Sequence, residues 1–113
     1  MITAAAPAAD GGLIPARPLA AQVHALRAAA ALIEQAGIAG LWLTIGTGPV
    51  SIQVPAGLAS PAARAAAVAR LAAATGARAV RDTTPGPTFG WVFARGQLAG
   101  HPVDIYTPGR EMP

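Results

Sequence analysis

The residues best suited to acid–base or metal chemistry are few in this chain and widely spaced. His24 has no histidine or acidic residue three or four positions away in its predicted helix. His101 lies in a predicted tight turn, and Asp104 follows three residues later, where a strand side chain points to the opposite face. The spacing therefore predicts neither a catalytic histidine–carboxylate pair nor a metal site.

Candidate nucleophiles and phosphate-binding loops have simpler structural explanations. Ser51 has no nucleophile-elbow context, and Ser60 precedes Pro61 as a helix cap would. The segment Gly46-Thr47-Gly48 precedes a predicted strand rather than a helix, which favours a hairpin turn over a phosphate cradle. The absence of cysteine excludes disulfides and thiolate chemistry and favours a reducing compartment. We predict no cofactor.

Aromatic residues are the more informative group, because their chemistry is stacking and burial against a partner. The elements that must position them are two predicted hairpins. In the first, alternating runs flank residues 46–49, so that Leu43 faces Ile52. In the second, the chain turns at Ala99-Gly100 between predicted strands 88–98 and 102–107, so that Phe93 faces Tyr106 and Arg95 faces Asp104.

These two registers separate the side chains of the sheet into an aliphatic face and an aromatic face. An Arg–Asp pair on the aromatic face is tolerated best if water reaches it. We therefore predict an open binding face, formed by Trp42, Trp91, Phe93, Tyr106, Arg95, Gln53 and Thr44.

Two helices are predicted to cover the aliphatic face. The first spans 19–36 and gathers an apolar stripe of Leu19, Val23, Leu26, Ala30 and Ile33. The second runs from Ser60-Pro61 to about Thr75 and has a weaker stripe of Ala63, Ala67, Val68 and Leu71. Arg64 and Arg70 are predicted to solvate this second helix.

The pattern predicts an α+β fold with two helices on one face of a four- or five-stranded antiparallel sheet, in the order α-β-β-α-β-β-β. Residues 1–17 are predicted as a flexible arm, 18–108 as the single domain and 109–113 as a tail. Aligning Gly37 with Gly76 suggests an internal αββ duplication. That offset would instead place Phe89, Trp91 and Phe93 in the core.

Composition limits the core and the partners. Apolar residues make up 53% of the 113 residues, but 30 of them are alanine, so the interior is thin. The net charge is only +3, and the eight arginines are dispersed. Glycine and proline interrupt the uncharged stretch 35–63, and the N-terminus lacks the pattern of a signal peptide. We predict a cytoplasmic protein without a membrane partner.

Three segments resemble small alanine-rich actinobacterial proteins of unknown function that are often associated with plasmid, phage or integrative elements. They are VSIQV at 50–54, LAAATGA at 71–77 and GQLAGHPVDIYT at 96–107. The resemblance covers about half of the chain and contains no catalytic motif. It implies this architecture in a cytoplasmic bacterial setting and transfers no functional residues.

The sequence favours a small non-enzymatic binding or assembly module that self-associates through its aromatic face as a homodimer. One alternative is binding of single-stranded nucleic acid, whose bases would stack on the aromatic side chains. A second alternative is a small enzyme or apolar-ligand binder that uses this face as a pocket wall.

Overall fold

The fold contains two helices and five strands in the part of the chain that the computed structural model describes, residues 16–109. The elements are α1 (Ala16–Ala36), β1 (Trp42–Thr44), β2 (Val50–Gln53), α2 (Pro61–Ala74), β3 (Val80–Arg81), β4 (Val92–Leu98) and β5 (His101–Thr107). The α+β class is confirmed. Residues 1–15 of the predicted arm and 110–113 of the predicted tail lie outside the described residues, whereas Ala16 and Arg17, the last two residues of the predicted arm, belong to α1.

The five strands form one mixed sheet in the order β1-β2-β5-β4-β3. Three neighbouring pairs are antiparallel, but β2 and β5 run parallel, with Ile52 beside Ile105. The prediction of an antiparallel sheet is therefore wrong for the central pair. Turn residues specify each hairpin locally, whereas the relative direction of two hairpins is set by the long connection through α2.

Both predicted hairpin registers are confirmed. Leu43 pairs with Ile52 in the first hairpin, and Phe93 pairs with Tyr106 in the second. At the second turn, Ala99 and Gly100 both have positive φ, of 50° and 83°, as a two-residue type I′ turn requires. The strand predicted to begin at residue 88 begins at Val92 instead.

The hydrophobic core lies between the aliphatic face of the sheet and both helices. Its strand residues are Val50, Ile52, Val54, Val92, Ala94, Val103 and Ile105. Alanines and a glycine allow the helices to approach closely: Ala29 and Ala72 have no exposed surface. A Cβ added at Gly96 would lie 2.5 Å from the hydroxyl oxygen of Thr75, at the end of α2. Neither helix of the described residues is long and apolar enough to span a membrane.

Helix α1 packs through a different face from the one predicted. Ala25, Ala29 and Leu32 are buried, whereas Leu19 and Leu26 are 54% and 53% exposed. A helix approaches its neighbours more closely through alanines than through leucines, so packing follows the small residues here. The predicted core stripe, Leu19, Val23, Leu26, Ala30 and Ile33, is mostly exposed and is named the α1 stripe below.

Helix α2 starts as predicted, since the Ser60 hydroxyl accepts a hydrogen bond from the Ala63 N–H at 3.2 Å and Pro61 follows. Its buried face is Arg64, Val68, Leu71 and Ala72, whereas Ala63 is exposed. The prediction that Arg64 solvates the helix is therefore wrong. The exposed Arg70 does reach past the helix surface, and it donates to the Ala36 carbonyl at the end of α1.

The two hairpins are not related by the proposed 39-residue offset. That alignment sets Ile52 on Trp91 and Val54 on Phe93. Ile52 and Val54 are buried in the core, whereas Phe93 lies on the opposite face of the sheet and is 36% exposed. The local turns, and not an internal repeat, therefore determine which face of the sheet each side chain occupies.

Candidate binding face

Two rows of side chains cross the sheet on the side away from the helices, and this side is named the open face. Cross-strand pairing aligns the first row as Trp42, Gln53, Tyr106, Phe93 and Val80. The second row is Thr44, Ser51, Asp104 and Arg95. The structure therefore brings six of the seven predicted site residues into register, and Trp91 immediately precedes β4.

Aromatic rings dominate the open face. Trp42 is 63% exposed at the sheet edge. The half-buried rings of Trp91 and Tyr106 are parallel within 2°, with their centroids 5.8 Å apart. The Tyr106 hydroxyl donates to Oε1 of Gln53 at 3.3 Å, which fixes the ring across the parallel strand pair.

An ion pair marks the wet part of this face. Nε of Arg95 lies 3.5 Å from Oδ1 of Asp104, and the two side chains are 81% and 41% exposed. An ion pair this accessible contributes little to folding, about 0 to 1 kcal/mol. Its charges therefore remain available for contacts with a partner.

Asp82 organises the loop beside Trp91, and the sequence analysis missed it. The Thr88 hydroxyl donates to one carboxylate oxygen of Asp82 at 2.6 Å, and the Thr84 N–H donates to the other at 2.9 Å. These hydrogen bonds, with Thr88 the larger contributor, lower the pKa of Asp82. The available signal was Asp followed by Thr two residues later, the pattern of a side-chain-closed turn.

The open face contains two shallow depressions that share Gln53 and Trp91. The first has a volume of about 500 Å³, and its charged residues are Asp82, Arg95 and Asp104. Those three give its lining a formal charge of −1. The second, of about 890 Å³, lies between Trp42 and Trp91 and is otherwise lined by Pro55, Ala56, Gly57, Ala59 and Pro108.

Arg64 supports the walls of the second depression from inside the protein. Its fully buried guanidinium donates to the carbonyls of Ala56 at 2.8 Å, Ala59 at 2.6 Å and Pro108 at 3.1 Å. Its Nε donates to the Thr107 hydroxyl at 3.0 Å, which in turn donates to the Val54 carbonyl at 2.7 Å. This network ties the loop after β2 to the end of β5. The burial of Arg64 could not be predicted, because no acidic residue lies near it in the sequence to suggest a buried pair.

The two histidines, treated as unrelated in the sequence analysis, meet on the helix side of the molecule. Nδ1 of His24 lies 2.7 Å from Nε2 of His101, so one ring donates to the other. Within residues 16–109, no group of three or more histidines and acidic residues is arranged to hold a metal ion.

Comparisons with protein-family models, curated proteins and solved structures find no match to this chain.

Proposed function

We propose that the protein is a small non-enzymatic assembly module that self-associates through its open face. The observation that carries this proposal is Trp42, a large aromatic side chain 63% exposed beside a depression walled by a second tryptophan. A rigid exposed indole next to an apolar recess is the arrangement found at the centres of protein interfaces.

Self-association is supported by shape. In a two-fold dimer the same surface meets itself, so each protruding group needs a recess in the same surface. Trp42 is the protruding group, and the depression of about 890 Å³ between Trp42 and Trp91 has room for an indole. A tryptophan inserted from each copy removes its ring from water, and such rings bury about 150–250 Å² each.

The charges on the face agree with a protein partner. The first depression carries Arg95 against Asp82 and Asp104, so it is nearly balanced in charge. In a two-fold dimer, Arg95 of one copy is able to approach Asp104 of the other and exchange ion-pair partners. A surface whose charges nearly balance can pair its opposite charges with those of a second copy, whereas a surface with a strong net charge would repel its own copy.

The size of the face predicts a weak dimer. The strands are short, and together they cover roughly 400 Å² of sheet plane, from strand spacings of about 4.8 Å and residue rises of about 3.3 Å. A standard interface buries about 800 Å² per partner. The neighbouring loops supply part of the difference, and we expect dissociation constants in the micromolar range.

Sedimentation velocity across a concentration series tests the proposal. We expect the wild-type protein to change from monomer to dimer between low and several hundred micromolar. Trp42→Thr, a strand-compatible substitution at an exposed position, should weaken the dimer at least tenfold. Leu58→Thr is the matched control, because Leu58 is an exposed apolar residue, 42% accessible, that lines neither depression.

A wild-type protein that stays monomeric throughout the series contradicts the proposal. So does a Trp42→Thr variant that dimerises as well as wild type. Thermal melts of both variants at low concentration should match wild type, which separates lost association from lost folding.

Single-stranded nucleic acid is the second candidate, favoured by one observation. Trp91 and Tyr106 present parallel rings, and Phe93 and Trp42 lie in the same cross-strand row as Tyr106, as in base-stacking platforms. The two aspartates of the first depression oppose it, since phosphate groups would lie near carboxylates.

Fluorescence with an unstructured oligonucleotide separates the two candidates. Stacking predicts tryptophan quenching that Trp91→Ala weakens by about 1–3 kcal/mol, with little binding of duplex DNA. No quenching at micromolar oligonucleotide, from a protein that dimerises, assigns the face to self-association.

An enzymatic role has the weakest support. The first depression falls within the roughly 300–1,000 Å³ range of ligand sites and contains two carboxyl groups. A general acid requires a raised pKa, but the hydrogen bonds from Thr88 and Thr84 lower that of Asp82. Asp82 is therefore unsuited to the role of a general acid. Asp104 is engaged by Arg95.

A further inference from the structure

The residues of the α1 stripe are regularly spaced, but the fold of a single copy leaves most of them exposed. Its residues follow one another at intervals of four, three, four and three, which is the seven-residue repeat of helix–helix packing. Leu19 is 54%, Val23 38% and Leu26 53% exposed, and Ala30 is exposed as well. No element of the described residues covers this part of the helix.

The stripe is distinct from the face by which α1 packs on the core. At about 100° per residue, the stripe lies about 110° around the helix from Ala25, Ala29 and Leu32. His24 and Gln22 tie the helix to the rest of the domain, through His101 and the Ile45 carbonyl. The helix is therefore held in place without the stripe, whose apolar side chains remain available to another helix.

We propose that the α1 stripe pairs with the α1 stripe of a second copy, in an antiparallel arrangement. This surface is separate from the open face and does not depend on the proposed function. A helix with the same four-and-three spacing would contact the stripe along its whole length. A second copy supplies a stripe of identical spacing.

The sizes of the side chains favour the antiparallel orientation. With the two-fold axis between residues 24 and 25, Leu19 meets Ala30 of the partner and Val23 meets Leu26 of the partner. Each layer then combines a larger with a smaller residue, as close packing requires. A parallel pair would place leucine on leucine at one end and alanine on alanine at the other.

The flanking residues agree with this register. Arg27 faces the position of Ala20 in the second copy, so no like charges meet across the pair. The paired segment from Leu19 to Ala30 is only about 17 Å long. Such a contact is much smaller than the standard interface of about 800 Å² per partner, so we expect it to be weak.

Disulfide trapping tests a weak contact of defined register, and the natural chain contains no cysteine to interfere. We would make the double variant Leu19→Cys/Ala30→Cys and oxidise it under mild conditions. The two positions are about 17 Å apart within one helix, beyond the roughly 7 Å limit for a disulfide, so any bond joins two copies. We expect covalent dimers at least tenfold faster than from the control Leu19→Cys/Ala31→Cys, whose second cysteine lies off the stripe.

Three results decide the proposal. Equal rates for the double variant and its control overturn it. Single-cysteine variants Leu19→Cys and Ala30→Cys that link as fast as the double variant overturn the antiparallel register. Adding Leu26→Lys should suppress linking at least fivefold, because a charge would enter the central layer. Circular dichroism at low concentration confirms folding, which is expected because every substituted side chain is exposed.

The test is independent of the open face. If both interfaces exist, the oxidised double variant forms oligomers larger than dimers, and Trp42→Thr reduces them to covalent dimers. If only the α1 contact exists, covalent dimers are the largest species with or without Trp42→Thr. If only the open face exists, no specific cross-link forms.

Discussion

The open face and the α1 stripe are both apolar and exposed, but they are built from different chemistry. The open face is aromatic, contains two depressions and includes Asp82, Arg95 and Asp104. The α1 stripe is aliphatic, convex and uncharged. Rings with polar neighbours recognise shape and hydrogen-bonding groups, whereas a ridge of leucine, valine and alanine recognises little beyond a matching ridge.

The contrast teaches how an alanine-rich chain distributes its few large side chains. Much of the core is closed by alanines that let helices approach, such as Ala25, Ala29 and Ala72. Large residues such as Leu19, Leu26 and Trp42 remain on the surface. The thin core therefore coexists with two surfaces able to bury additional apolar area through association.

The largest expected effect comes from comparing two arginines of α2, one that supports the open face and one that contacts the end of α1. Arg64→Met should lower the free energy of unfolding by about 3–5 kcal/mol, because it leaves the buried Thr107 hydroxyl and three partly buried carbonyls without their donor beneath the second depression. Arg70→Met, an exposed arginine of the same helix, should cost less than about 1 kcal/mol. Urea denaturation at low protein concentration measures both, and equal costs would show that the buried network adds nothing.

Two leucines of α1 compare the packed face with the stripe directly. Leu32→Ala should destabilise the monomer by about 2–4 kcal/mol, because Leu32 is 3% exposed in the core. Leu26→Ala should change it by less than about 0.5 kcal/mol, because the side chain is 53% exposed. The measurement is again urea denaturation of dilute protein. A similar cost at the two positions would mean that the stripe is buried in solution.

Salt should affect the two surfaces differently. Asp104→Asn should weaken the open-face dimer by less than about 1 kcal/mol and remove most of its dependence on sodium chloride, because accessible ion pairs are weak and screened. Disulfide linking through the α1 stripe should not slow in high salt. Sedimentation and gel analysis across a salt series provide the two readouts. Loss of stripe linking in high salt would contradict its apolar character.

The smallest expected effect is a loosening of the loop beside Trp91 in acid. Hydrogen bonds lower the folded-state pKa of Asp82. The stabilisation of the loop by the ionised carboxylate is therefore complete above the unfolded-state pKa, and it disappears as the pH falls through the folded-state pKa. Amide exchange of residues 83–89 should therefore rise below about pH 4, relative to a reference peptide, while α1 stays protected. Asp82→Asn should lose this pH dependence; a variant that retains it would exclude Asp82 as the cause.

Local chemistry explains what the sequence predicted well. Glycine and proline at 46–49, and the Ala99-Gly100 pair, specify the two turns, and alternation then assigns every strand side chain to a face. The seven predicted members of the open face follow from those two turns. Asp82 was missed because the loop that brings it beside Trp91 has no strand periodicity.

Interactions between distant segments explain what the sequence did not predict. Helix α1 has two apolar faces of similar periodicity, and choosing between them requires knowing how closely a neighbouring element approaches. Likewise, no local sequence signal indicates that β2 pairs in parallel with β5. Arg64 acquires its partners only when residues 56, 59, 107 and 108 come together around it.

The parallel pair at the centre of the sheet also orders the events of folding. Each hairpin closes a short loop, whereas the bond from the Val54 N–H to the Tyr106 carbonyl joins residues 52 positions apart. Loop-closure entropy makes the hairpins the early structures and their central junction the slow step. Until that junction forms, β2 and β5 present unpaired backbone along aliphatic strands. We expect refolding yield to fall as protein concentration rises, even under conditions where the native chain remains in solution.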